Sequence, residues 1–331
     1  MTRRVLVTGG AGYIGSVVVD QLVAAGAEVV VLDDLSRGHR VTIPARVGFV
    51  EGGTGDAAAL QRAFAAGPFD AVVHLAAFAL VAESVANPAL YFANNVTAAR
   101  ALVDATVAAH VPRFIFSSSC AVYGHPAAMP IREETPLAPI NPYGETKRDL
   151  ENLLAERARR DGLQSVSLRY FNAAGATERC GEDHDPESHL VPNVLRAASG
   201  RRPALDVFGT DYATPDGTAV RDYVHVADIA DAHLRALDAT VTGAAVVNLG
   251  TGTGSSVRDV VRTAEGVTGR AIATVSKPRR PGDPPVLVAA ADRAAALLGW
   301  RPRHSLREIV ETAWRWHQAH PRGYTEQTPG G

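Results

Sequence analysis

A chain of 331 residues, 46% hydrophobic and 21% charged, can bury a sizeable core, as one large or two ordinary domains. With 33 basic and 35 acidic residues the formal charge is −2, which speaks against a nucleic-acid partner. No run of about 18 apolar residues suggests a membrane span. Met1-Thr2-Arg3-Arg4 leads directly into a strand-like segment without a cleavable leader pattern, and Cys120 and Cys180 fit neither a disulfide framework nor a zinc site. A cytoplasmic protein with no nucleic-acid and no membrane partner is expected.

The first predicted element is a strand at Arg4-Val5-Leu6-Val7-Thr8, followed at once by Gly9-Gly10-Ala11-Gly12-Tyr13-Ile14-Gly15 and an apolar helix to Ala25. Strand, glycine turn and helix is the order in which backbone amides at a helix N-terminus cradle a pyrophosphate. A second strand, Glu28 to Leu32, ends at Asp33, 18 residues past Gly15, where a carboxylate can accept from the adenosine ribose hydroxyls. That acid would repel a 2′-phosphate, so NAD is expected over NADP; Arg37 nearby keeps the second option open.

Strand-like runs continue at Val47 to Glu51, Ala71 to Ala76, Phe114 to Ser118, Ser165 to Asn172 and Ala245 to Leu249, with a clear helix from Asn94 to Ala109. Apolar strands alternating with helices predict an α/β fold with a doubly wound, parallel Rossmann-type sheet. Ligands of such sheets sit at the carboxyl ends of the strands. Here those ends read Gly9, Asp33, His74-Leu75-Ala76-Ala77, Ser117-Ser118-Ser119 and Tyr170-Phe171-Asn172.

The alternation stops after Asn172. Irregular segments from Gly175 to Pro192, Arg201 to Arg221 and Arg279 to Pro285 predict a second, smaller, discontinuous α/β domain. We assign residues 1–172 and 222–253 to dinucleotide binding, and 173–221 and 254–331 to the substrate. His184, Asp185 and His189 are spaced too irregularly to predict a metal site. Trp300, Trp314 and Trp316 are expected in the core, and the last ten residues, 322–331, ending Thr328-Pro329-Gly330-Gly331, in a loose tail.

The chemistry centres on Asn141-Pro142-Tyr143-Gly144-Glu145-Thr146-Lys147. Pro142 suits a first helical position, and Tyr143 and Lys147, four apart, then share one helix face. Lysine occurs only at positions 147 and 277. A cation near a phenol favours the phenolate, which would make Tyr143 a general base. On spacing alone such a pair more often lies on a solvated helix face.

Together with Ser117-Ser118-Ser119-Cys120-Ala121-Val122-Tyr123-Gly124, Arg169 to Asn172, Gly181-Glu182-Asp183-His184, and the run from Phe208 through Asp216-Gly217-Thr218 to Arg221-Asp222-Tyr223, these motifs resemble the extended short-chain dehydrogenase/reductase superfamily and, within it, the UDP-glucose 4-epimerases. The resemblance runs from Val5 to about Tyr324. It implies reversible C4 epimerisation of a UDP-hexose through a 4-keto intermediate, with tightly bound NAD, in a homodimer. Ser119, Tyr143 and Lys147 are the implied catalytic residues. The implied cofactor contacts fall on Gly9, Gly12, Tyr13, Ile14, Gly15, Asp33, Leu35, Ser36, Gly53, Thr54, Leu75, Ala76, Ala77, Asn94, Ser117, Tyr143, Lys147, Tyr170 and Phe171.

By the same resemblance, the UDP-sugar would meet Ser119, Asn172, His189, Leu190, Val207, Phe208, Arg221, Arg280, Asp283 and Leu287. Apolar Val103, Leu150 and Leu154 would suit the dimer's four-helix contact. Dehydratases of the superfamily carry an acidic pair after the active-site hydroxyl, where this chain has Cys120 and Ala121. The alternatives left are 4-epimerisation of UDP-xylose/arabinose or UDP-glucuronate, or NAD binding without catalysis. Gly53-Thr54 replace an acid and an aliphatic residue near adenine, and Ala79 replaces a lysine near the NAD phosphates, so weaker cofactor retention is expected. Leu287 stands where a tyrosine or smaller residue tunes acceptance of an N-acetyl group, and we expect some tolerance of the N-acetylated sugars.

Overall fold

The structure, a computed structural model, describes residues 2–280 and 282–324. The expected tail falls mostly outside them. Seven parallel strands form one sheet: β1 (Arg4–Thr8), β2 (Glu28–Asp33), β3 (Gly48–Glu51), β4 (Ala71–His74), β5 (Arg113–Ser119), β6 (Gln164–Tyr170) and β7 (Ala244–Leu249). Their order is β7-β6-β5-β4-β1-β2-β3, with every neighbouring pair parallel. Strands 3-2-1-4-5-6 are the dinucleotide-binding order, so the crevice where the winding reverses lies between β1 and β4.

Both faces of this sheet are covered, which is why its strands read as unbroken apolar runs: Val5, Leu6 and Val7 are all fully buried. On one face, Val5 and Val7 pack with the helices Tyr13–Ala24 and Val226–Asp238. On the other, Leu6 and Val72 pack with Ala57–Ala65, Ala99–Ala108 and Pro142–Asp161. Each fully buried aliphatic side chain contributes about 1.5–3 kcal/mol, which makes the paired layers the dominant source of stability.

A separate apolar cluster joins the helices Leu190–Ala198, Val257–Thr268 and Leu306–Ala319 to the strand Leu205–Phe208, which pairs with Thr274–Lys277. The short strands Ser255–Ser256, Val220–Arg221 and Val286–Leu287 form a second small sheet beside it.

Three expectations need correction. The helix Asp292–Leu298 and Trp300 return to the large sheet, where Ala294, Leu298 and Trp300 join its core and the Trp300 indole donates to Asp228 O at 2.8 Å. This piece therefore does not pack with the rest of 254–331. Val103, Leu150 and Leu154 are not available to a partner, because they are buried within the chain beneath their own helices. Finally, the helix expected from Asn94 opens with a wider π-type turn, Ala93–Ala98, before the α-helical stretch to Ala108. Such turns are frequent at functional sites, and this one carries Asn94 and Asn95. Of the tryptophans, Trp300 and Trp316 are buried, and Trp314 is half-buried beside Arg270.

Candidate active site

At the crevice, Gly9 leaves β1 with φ of 74°, and a Cβ on Gly15 would fall 2.0 Å from Gly9 O, so the turn and the helix close on each other only with glycine. The helix begins with Gly12 as its cap, no side chain satisfies its first amides and no acid occupies its first turn. Uncapped donors and the positive helix end suit a pyrophosphate. Tyr13 anchors this turn by donating from its hydroxyl to Gly175 O at 2.6 Å.

Asp33, at the end of β2, is buried and accepts from Ala11 N and Leu35 N, both at 2.9 Å. Burial raises its pKa, and the two amide donors oppose the shift. The fixed carboxylate keeps lone pairs for a ribose diol. Leu35 holds a left-handed φ of 58°, and the Ser36 hydroxyl is engaged with Asp34. Arg37 pairs with Glu83 at 2.7 Å and lies over the Phe78 ring, which removes it as a ready partner for a 2′-phosphate. Thr54 is buried, and Gly53 leaves open space beside Asp34. Ala79 is exposed. The turn, helix end and carboxylate fit a dinucleotide.

On the other side of the crevice, Leu75 and Ala76 leave β4 against Gly9, and Leu75 N donates to Thr8 O at 2.9 Å. Asn95 pins the next residues: its carbonyl accepts from Phe78 N and its amide donates to Phe78 O, both at 2.9 Å, with Thr146 Oγ1 at 3.2 Å from the same amide. Asn94 donates to Asn95 Oδ1. Asn95 thus ties the wall after β4 to the helix carrying Tyr143 and Lys147. That residue was missed in the sequence; the paired asparagines Asn94-Asn95 within the helical pattern were the available signal.

The helix Pro142–Asp161 starts with Pro142 in its first turn, as the sequence predicts, and Asn141 caps it by accepting from Gly144 N at 2.9 Å. Tyr143 and Lys147 are both buried, pointing at the end of β5 where Ser119 lies. Lys147 Nζ donates to Ser117 O at 2.8 Å and stands 5.6 Å from the Tyr143 ring. One expectation is overturned here. Burial pushes the Tyr143 phenol up rather than down, with the Tyr170 hydroxyl adding to the rise and Ser119 opposing it. The same burial lowers Lys147 to about 7. A dry pocket disfavours both charged forms, and that outweighs a cation held against a carbonyl.

Ser117 is the junction of this wall. Its Oγ lies 2.9 Å from His233 Nε2, while His233 Nδ1 lies 2.9 Å from Ile229 O. His233 is held neutral by burial, near 4, so Nδ1 carries the proton toward the carbonyl and Nε2 accepts from Ser117. Tyr170 is half-buried beside Ser117, and Phe171 packs with Val122, Tyr123 and Leu287. Beneath Ser119, Ser118 donates to Glu151 at 2.6 Å, and Glu151 is paired with Arg169. Cys120 is raised to about 12 by burial, which makes it an inert thiol.

Asn172 lies on the short strand Asn172–Ala174, in register with Tyr223. Arg221 pairs with Asp283, and Leu287 sits opposite Arg221 in the small sheet. Arg280 lies 4.2 Å over the Phe208 ring, and Val207 is buried on the same strand. This gathers Arg221, Arg280, Asp283, Phe208 and Leu287 from distant parts of the chain. Leu190 opens the helix Leu190–Ala198. His189 differs: its Nδ1 turns to Glu182 at 2.7 Å and to Glu187 at 3.0 Å.

The fold and the crevice define a dinucleotide-dependent enzyme of the Rossmann type, and the sequence profile of the NAD dependent epimerase/dehydratase family matches residues 5–250. The chain belongs to this family. Over 329 residues it is 48% identical to a UDP-glucose 4-epimerase of Streptomyces lividans, covering 99% of this chain and 100% of that one. Among solved structures it resembles UDP-glucose 4-epimerase from Brucella ovis in complex with NAD, at 45% identity and a TM-score of 0.92, covering 95% and 98% of the two chains. It also resembles the Bifidobacterium longum UDP-glucose 4-epimerase in complex with NAD+ and UDP, at 38% identity and a TM-score of 0.92, covering 97% and 100%.

Proposed function

We propose that the chain interconverts the C4 epimers of a UDP-hexose, UDP-galactose and UDP-glucose, with NAD as its resident cofactor. The observation that carries this reading is the placement of buried Tyr143 and Lys147 against the end of β5 at Ser119, beside the uncapped helix end and Asp33. Full-length similarity to UDP-glucose 4-epimerases supports it.

Gly12 and the first turn at Tyr13, Ile14 and Gly15 would hold the cofactor's pyrophosphate, and Asp33 its adenosine ribose. When bound, NAD supplies a hydride acceptor and donor and a positive charge beside the phenol. Tyr143 takes the proton from the C4 hydroxyl and later returns it. Ser119 hydrogen-bonds the reacting oxygen. Lys147, fixed by Ser117 O, orients the nicotinamide ribose and, when protonated, favours the phenolate. Arg221 and Arg280 are the cations offered to the diphosphate, and Asp283 meets the uridine ribose. Because the nucleotide anchors are remote from C4, their binding energy positions the ring without favouring either epimer. Cys120 and Ala121 supply no acid or base for chemistry at C5 or C6, so a dehydratase is disfavoured.

A homodimer belongs to the same reading, with the outward-facing Val81, Val85 and Leu90 on the helices Val81–Ala86 and Pro88–Phe92 as its apolar contribution. A cytoplasmic location fits two free cysteines. The experiment is a panel of UDP-sugars with detection of both C4 epimers. Conversion of UDP-galactose to UDP-glucose exceeding that of UDP-arabinose and UDP-glucuronate is expected. No conversion of any member would return the protein to NAD binding without catalysis.

A further inference from the structure

We propose that Glu182, His184, Glu187 and His189 bind one divalent transition-metal ion of the zinc class, through two imidazole nitrogens and two carboxylate oxygens. The irregular sequence spacing of these residues hid the grouping. In the folded loop one ligand atom from each lies within 4.8 Å of all the others. Asp185, between them, is exposed and takes no part.

The geometry is close to what such an ion requires. Bonds of about 2.0–2.1 Å in a tetrahedral site place the ligand atoms roughly 3.3 Å apart. Here His184 Nδ1 lies 3.2 Å from Glu182 Oε1, and His189 Nδ1 lies 2.7 Å from Glu182 Oε1 and 3.0 Å from Glu187 Oε1. Both histidines turn the same nitrogen, Nδ1, toward the carboxylates. These edges would open by up to about 0.6 Å, and the wider pairs among the four, none beyond 4.8 Å, would close toward the same spacing. Two imidazoles select a transition metal over magnesium or calcium, which prefer all-oxygen shells.

A second observation points to a cation independently of the grouping. The Glu187 side chain is completely buried, and its Oε2 finds no hydrogen-bond donor among the described residues. Oε1 of the same group is already served by His189 N at 2.8 Å. A buried carboxylate oxygen without a partner is costly, and pairing the two histidines with the two glutamates still leaves it unanswered. Coordination would answer it.

The position suggests what the ion would do. His184 meets the edge of the Tyr13 ring at 6.2 Å, and Tyr13 belongs to the cofactor turn. His189 caps the helix Leu190–Ala198, with Asn193 donating to His189 O at 2.8 Å. An ion here would clamp the loop between the dinucleotide turn and the first helix of the substrate region. This role is structural and independent of the epimerase reading.

The test uses the full chain without a histidine tag, stripped with chelator and titrated with Co2+, then with Zn2+ in competition. One Co2+ per chain is expected, with the intense visible bands of a tetrahedral nitrogen and oxygen site, displaced by Zn2+ and unaffected by Mg2+. His184→Gln and Glu187→Gln should each weaken binding at least about tenfold. If both variants fail to fold, the wild-type thermal midpoint decides, since a Zn2+-dependent rise reversed by chelator is expected. Substoichiometric binding, unchanged affinity in both folded variants, thiolate charge-transfer bands from a cysteine, or an unmoved midpoint would overturn the proposal.

Discussion

Arg169 grips both carboxylate oxygens of Glu151 beneath the strand that ends at Ser119, and both side chains are almost fully buried. Ser118 and Tyr123 complete the network, each within hydrogen-bonding distance of one partner. Glu151 lies on the same helix as Tyr143 and Lys147, so this pair sets the height of that helix against β5 and β6. Removing one partner leaves the other charge buried. Glu151→Gln should therefore cost about 3–5 kcal/mol in urea denaturation, and a loss below about 1 kcal/mol would assign the pair no more than the weight of a surface ion pair.

Acid sensitivity follows from the histidines under the crevice. Burial, helped by the Lys147 charge, lowers His74 from 6.5 to about 3, and burial lowers His233 to about 4. Their unfolded forms take up protons that the folded forms refuse, so this contribution to stability is full above pH 6.5 and declines as pH falls from there toward 4. Lys147, with a folded value near 7, adds its own slope above that pH and not below. The thermal midpoint should drop on acidification, and less steeply in His74→Gln. Parallel profiles for the two proteins would contradict the assignment.

Cofactor binding can be separated from folding at Gly12. An added Cβ there meets only Gly9 O, at 3.4 Å, and the backbone φ of −78° suits alanine. Gly12→Ala should keep its thermal midpoint without ligand while its Cβ crowds the helix end, so less NAD co-purifies. Wild-type protein should itself lose NAD on dialysis, because Gly53 and Ala79 contribute no side-chain grip. NAD content that is full and equal in both proteins after dialysis would contradict this.

Sugar selectivity is expected to turn on Leu287, which packs beside Cys120, Phe171 and Tyr123 at the substrate end of the crevice. Leu287→Tyr adds length and a hydroxyl at that wall. We expect kcat/KM for UDP-GalNAc to fall about tenfold relative to UDP-galactose, the scale of a lost small apolar fit. Unchanged ratios would remove Leu287 from the selectivity determinants.

Much of this was legible in the sequence because it depends on local pattern. All seven strands of the large sheet, the glycine turn, Asp33 and the helix start at Pro142 follow from periodicity and turn chemistry. What stayed hidden depends on burial and on long-range meeting of side chains. Tyr143 and Lys147 were paired correctly by spacing, yet the direction of the tyrosine shift was misread because a sequence does not show how dry the pocket is. Glu151, four residues past Lys147, shares its face and could have been found by the same rule. Arg169 as its partner could not, and neither could the meeting of Glu182, His184, Glu187 and His189. The return of Asp292 to Trp300 was missed because a short helix after an irregular loop carries no sign of which sheet it joins.

The central claim is that Tyr143 moves the C4 proton while Ser119 and Lys147 hold the reacting groups. Conversion of UDP-galactose to UDP-glucose, followed by NMR for the parent protein and for Tyr143→Phe loaded with equal NAD, tests it most directly. The expected result is turnover by the parent and a loss of about 10²–10⁴-fold in the variant, the range of a missing acid–base group. Equal rates in the two proteins would contradict the account.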